Sequence, residues 1–197
     1  MMQPIDLIKS YQDLYNPSYI SHPANTDRGF SVVLAENDKS AKLKEVTVYN
    51  VPQKTILLSL HEYEKLKIGN YLKRILNADP GIFKSCDYLI ITVMKEELYW
   101  VFVELKSEEF KKNYIIQQFK GASCFIEYCN AIIEHFFNPS IKSMTINTRY
   151  VLIAGKPLDK RRTKSIKYTK HTKPEDYYQR NVGKSIKSAS VPFEALL

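Results

Sequence analysis

The sequence predicts a mixed α/β (α+β) protein: a central mixed β-sheet flanked by helices, with an N-terminal helix and β-meander before it and a basic C-terminal extension after it. Three observations predict this class. Two apolar strands, opened by Asp87 and closed by Glu104 and Lys106, flank a short polar turn at Lys95-Glu96-Glu97, as in a hairpin. From Lys112 to Phe137, Ile115, Phe119, Ala122, Ile126, Cys129, Ile133 and Phe136 recur at spacings of four and three, the period of a helix laid on a core. Thr148 to Ala154 is a further apolar strand, and the helical crossover before it predicts a parallel place in the sheet.

The remaining elements follow in chain order. Residues 4–15 have an amphipathic helical pattern, with Pro4 suited to the first turn. Residues 16–29 carry Pro17, Pro23, Asn25 and Gly29 and predict a loop, in which His22 and Asp27 have no partners at metal spacing. Three strands are expected at 30–35, 45–51 and 55–60, broken by the polar run Glu36 to Ser40 and by Pro52-Gln53. Residues 61–76 predict a helix whose inward face holds Ile68, Tyr71, Leu72 and Ile75. Glu64 lies on that same face, either as an acid facing the sheet or as a partly buried partner of a neighbouring lysine. Asn77 to Gly81 end this helix, and Asn138-Pro139 stop the later one. No repeat or low-complexity tract interrupts the chain.

This organisation reads as one domain over residues 1–155, with N-terminal helix and strands at 1–60 and a core at 61–155, followed by an extension at 156–197. Charge separates the two parts. Residues 1–155 hold 18 basic and 17 acidic side chains, whereas residues 156–197 hold 11 and 4, so nearly all of the net +8 lies in the extension. Such asymmetry points to a polyanionic partner, nucleic acid ahead of a membrane surface. Lys160, Arg161, Arg162, Lys164, Lys167 and Lys170 supply phosphate contacts in this reading, and His171, Tyr177 and Tyr178 supply rings for stacking; the plain alternative is a solvated tail. No apolar run is long enough to cross a bilayer, and no signal pattern begins the chain. Three cysteines without a CxxC pair argue against disulfides and zinc, so a reducing, cytoplasmic setting is expected.

The chemistry concentrates at the end of the hairpin. Side chains two apart on a strand share a face, so Glu104 and Lys106 point the same way. Antiparallel pairing about the turn brings Asp87 close to Glu104. Two carboxylates and an ammonium then meet at the edge of an apolar sheet, where unpaired charge is costly and a divalent metal would offset it. A surface ion pair at a hairpin end is the simpler alternative. Glu109-Phe110-Lys111 repeats the acidic-x-Lys pattern but lies in the charged turn with no upstream Asp.

Asp87 followed by Glu104-Leu105-Lys106 at the end of an apolar strand resembles the PD-(D/E)XK nuclease superfamily, over roughly residues 61–154. One departure is Cys86 where the family pattern has Pro. The resemblance implies a restriction-endonuclease-like core and Mg²⁺- or Mn²⁺-dependent hydrolysis of phosphodiester bonds, DNA first. It implies metal ligation by Asp87, Glu104 and the Leu105 carbonyl, with Lys106 beside the attacking water. It also adds Glu64 as an extra ligand and Gln118, with Lys120 behind it, at the start of the long helix near the phosphate. By the same analogy such a domain works as a homodimer or with a partner protein, or persists as a silent nucleic-acid-binding subunit. No P-loop, GxGxxG, GxSxG or HExxH motif competes with this reading.

Overall fold

The computed structural model describes residues 4–36, 40–60, 84–107, 109–137, 139, 145–156, 171–183 and 186–197. The predicted helix at 61–76 with Glu64, and the basic run from Lys160 to Lys170, lie outside the described residues.

The described residues form a mixed α/β arrangement of two mixed sheets and two α-helices, α1 (Pro4–Leu14) and α2 (Lys112–Ile132). Ten strands contribute: β1 (Ile20–Ser21), β2 (Ala24–Thr26), β3 (Gly29–Ala35), β4 (Glu45–Tyr49), β5 (Thr55–Ser59), β6 (Tyr88–Met94), β7 (Glu97–Lys106), β8 (Ile146–Ala154), β9 (Tyr178–Asn181) and β10 (Ser188–Pro192). The main sheet runs β1-β5-β6-β7-β8-β9, and the second sheet runs β10-β4-β3-β2. In the main sheet β6 is antiparallel to both of its neighbours, β5 and β7, while β8 lies parallel to β7 and β9 parallel to β8.

Alternation along the central strands creates two cores. Leu98, Trp100 and Phe102 of β7, with Leu89 and Ile91 of β6, pack against Leu7 and Tyr11 of α1 and Ile115, Phe119, Ala122 and Ile126 of α2. Val101, Val103 and Leu105, with Tyr88 and Ile90, pack the other way against Val32, Leu34, Val46 and Val48 of the second sheet. The main sheet is therefore covered on both faces, which is why its central strands read as continuous apolar runs rather than strict alternations.

Several boundaries differ from the sequence expectation. Met94 pairs with Glu97, so the hairpin turn is the two residues Lys95-Glu96, and Glu97 belongs to β7. Lys95 and Glu96 both take left-handed φ values, 51° and 65°, a conformation that matches the right-handed twist of the flanking strands. The expected loop at 16–29 contains β1, a two-residue edge strand against β5, and β2, which pairs with β3 around Asp27-Arg28. The long helix keeps α geometry to Ile132 and widens into a π turn over Ile133–Phe137, where it leaves the core and exposes Phe136 and Phe137.

The described parts of the C-terminal segment are built into both sheets. β9 lies beside β8, and β10 runs parallel to β4. Phe193 and Leu196 are buried in the core between the sheets. Three rings of this segment that the sequence offers for stacking take part in packing within the fold. His171 is buried with its Nε2 3.2 Å from the Leu196 carbonyl oxygen, Tyr177 packs on Phe119, and Tyr178 is half-buried in β9 against His171. No helix among the described residues is long and apolar enough to cross a membrane.

Candidate active site

Strand register assembles the site. Tyr88 pairs with Val103, so the residue before β6, Asp87, falls level with Glu104 near the end of β7. The two acids lock each other through the backbone. The Asp87 N–H donates to Glu104 Oε2 at 3.2 Å, and the Leu105 N–H donates to Asp87 Oδ2 at 2.7 Å. Two steps along the same face, the Lys106 ammonium forms an ion pair with Glu104 Oε1. Asp87, Glu104 and Lys106 are thus brought together as expected from the sequence.

Their burial is graded. The Glu104 side chain has no solvent exposure, whereas Lys106 keeps 27%. Burial pushes the Glu104 carboxyl well above the ordinary carboxylate range, and the Asp87 charge pushes it the same way; Lys106 and the Gln118 amide oppose them. For Lys106, burial draws the pKa down, but the charges of Glu104 and Asp87 outweigh it and hold the ammonium above its usual value. Within this trio two acids face one cation. Cys86, which stands where the family pattern has Pro, is fully buried, and its thiol is raised by burial and then by the two acids.

The start of α2 closes one side. Gln118 is buried, and its Nε2 donates to the Ser85 carbonyl at 3.2 Å, which ties the helix to the segment leading into Asp87. Its Oε1 is buried with no hydrogen-bond partner among the described residues. Lys120 is directed elsewhere: its ammonium pairs with Glu175, an exposed ion pair away from the acids. Leu105 presents its side chain to the opposite core and stands opposite Ile153 in the β7–β8 ladder.

Other neighbours of the site carried no signal in the sequence pattern. The Tyr88 hydroxyl donates to the Ala35 carbonyl at 2.7 Å and accepts from the Ala35 N–H at 3.0 Å. It thereby holds the end of β3 against β6, and the charge of the next residue, Glu36, acts on both Tyr88 and Lys106. Glu36 reads in sequence as part of a polar turn because its proximity depends on the second sheet stacking on the first. Lys84 donates to Gln117 Oε1 at 2.9 Å, and Lys156 follows the strand whose Ala154 stands opposite Lys106. Both lie at the same sheet edge as the acids.

Two converging carboxylates supply hard oxygen donors of the kind Mg²⁺ and Mn²⁺ take. An acid driven toward its neutral form by burial, and next by a second acid, is also a place where a cation would offset cost. In these respects the residues fit a divalent ion. Among the described residues, no group of three or more His, Cys, Asp or Glu side chains converges to hold one. No family model, curated protein or solved structure matches this chain.

Proposed function

We propose that the chain is a metal-dependent nuclease of the PD-(D/E)XK type, with a restriction-endonuclease-like core and DNA as the first substrate to test. The observation that carries the reading is the convergence of Asp87, Glu104 and Lys106 on one sheet edge, each acid bonded by the backbone N–H beside the other. Asp87, Glu104 and the Leu105 carbonyl would hold Mg²⁺ or Mn²⁺. When bound, such an ion activates water and neutralises charge on the scissile phosphate. Lys106, held protonated by its acidic neighbours, serves as a donor and cation toward the attacking water and the phosphate oxygens rather than as a resting base. Gln118, anchored on Ser85, positions the chain that carries Asp87. Three free cysteines among the described residues accord with a reducing, cytoplasmic setting.

The test is cleavage of plasmid, linear duplex, single-stranded DNA and RNA with Mg²⁺ or Mn²⁺, wild type beside Glu104→Ala and Lys106→Ala. Wild type should cut at least one substrate, and each variant should lose roughly a hundredfold or more in rate. Lys106→Ala cutting at the wild-type rate would defeat the assignment. A second reading is a silent nucleic-acid-binding or regulatory subunit, which would bind without cutting under every condition. A homodimer or partner protein belongs to either reading.

A further inference from the structure

Two aromatic rings, each with a lysine ammonium over its face, belong to segments at the strand ends that carry Asp87, Glu104 and Lys106. Tyr114, in the first turn of α2, is 43% exposed, and the Lys84 Nζ lies 4.1 Å from its ring centroid. Phe110, between β7 and α2, is half-buried, and the Lys156 Nζ lies 4.2 Å from its ring centroid. Lys84 precedes Asp87 on the way into β6, while Lys156 follows the end of β8. Because the sheet order is β6-β7-β8, the two pairs flank the ends of the strands that carry the trio. At ordinary strand spacing β6 and β8 are separated by about 10 Å. Both rings lie on the helix side of the sheet: Tyr114 is on α2, and Phe110 packs against the helix-side core. Glu104 belongs to that side by its alternation with Phe102. Lys111 and Lys112 beside them are exposed and add positive charge.

We infer that these pairs form a cradle for single-stranded nucleic acid, in which unpaired bases stack on Tyr114 and Phe110 while Lys84 and Lys156 meet phosphates. Accessible rings, one exposed and one half-buried, interleaved with lysines suit a single strand because every base has a face to offer, whatever its identity. A duplex keeps those faces stacked on neighbouring pairs and offers the rim only phosphates and groove edges. The lysines resting on the rings would move to phosphates as bases take their places. The inference builds on the nucleic-acid reading of the site and narrows it to substrates with unpaired bases: single strands, loops or frayed ends.

The experiment is fluorescence anisotropy in EDTA with the full chain and three labelled probes of equal length. The probes are an oligothymidine strand, an abasic strand of the same charge and a duplex. Wild type should bind the thymidine strand more tightly than either other probe. Tyr114→Ala should weaken binding to the thymidine strand by roughly ten- to hundredfold while leaving the abasic strand nearly unchanged, and Tyr114→Trp should retain the preference. Equal affinity for thymidine and abasic strands, unchanged binding by Tyr114→Ala, or no binding at all would each overturn the inference. Tyr114 is exposed, so its variants test stacking without disturbing the core; Phe110→Ala, checked for folding by circular dichroism, should act in the same direction. The assay is free of metal and of cleavage. Base-dependent binding without cutting would sink only the nuclease, whereas metal-dependent cutting with no preference for bases would sink only the cradle.

Discussion

Glu104 has no exposure to solvent, and burial followed by the Asp87 charge holds its carboxyl well above the ordinary carboxylate range. The fold therefore favours the neutral acid. Its contribution to stability is fully present below the unfolded pKa, near 4.3, and is lost as pH rises through the higher folded value. Glu104→Gln keeps the shape and cannot ionise. In metal-free protein its stability relative to wild type should shift in the variant's favour as pH rises from 5 to 8. Thermal unfolding followed by circular dichroism measures this. A difference that stays constant across that range would mean that the Lys106 ammonium compensates the charge completely. At this scale the pairing of Asp87 with Glu104 was legible, since a short turn and period-two alternation dictate it. Glu36 was not, because nothing near it in the chain signals that Tyr88 clasps Ala35.

The hairpin of β6 and β7 carries the acids, and its two-residue turn sets their register. Lys95 and Glu96 both occupy left-handed backbone, which costs energy for residues with a Cβ and suits Asn-Gly far better. Replacing Lys95-Glu96 by Asn-Gly should stabilise the protein by about 1 kcal/mol and leave the register of Asp87 and Glu104 intact. Urea unfolding would show a higher midpoint at constant slope; a lower midpoint would indicate that the Lys95 and Glu96 side chains contribute more than backbone strain costs. The helical period of α2 was plain in the sequence because its core-facing residues meet one sheet at regular spacing. Its π turn was not, since Phe136 continues the apolar period while standing exposed. Periodicity records where a side chain could pack; the end of the sheet decides whether anything is there to pack on.

Over the whole molecule, the second sheet and the C-terminal strands determine what surrounds the site. β10 completes the second sheet, and Phe193 and Leu196 fill the core between the two sheets. Phe193→Ala should cost about 3–5 kcal/mol, as for other fully buried phenylalanines, and removal of residues 186–197 should destabilise the fold as a whole. A detachable basic tail would instead leave the melting temperature unchanged and lower only the affinity for nucleic acid. Differential scanning calorimetry of both variants separates the two outcomes. Truncation of this segment is therefore a poor probe of nucleic-acid contact, and point substitutions at the rim are the better instrument.

By itself the sequence determined the central hairpin, the crossover helix, the parallel strand after it and the meeting of Asp87, Glu104 and Lys106, because each follows from local period and a short connection. Tertiary structure alone decided which charges and rings surround that trio. Lys84, Phe110 with Tyr114, Lys156 and Glu36 come from four separate places in the chain, and their proximity depends on how the helices and the second sheet stack on the first. Tertiary structure also decided that the described aromatics of the C-terminal segment pack inward. The physical reason is that composition reports charge and apolarity but not which face of which sheet a late segment covers; strand pairing at a distance, β10 with β4 and β9 with β8, settles that.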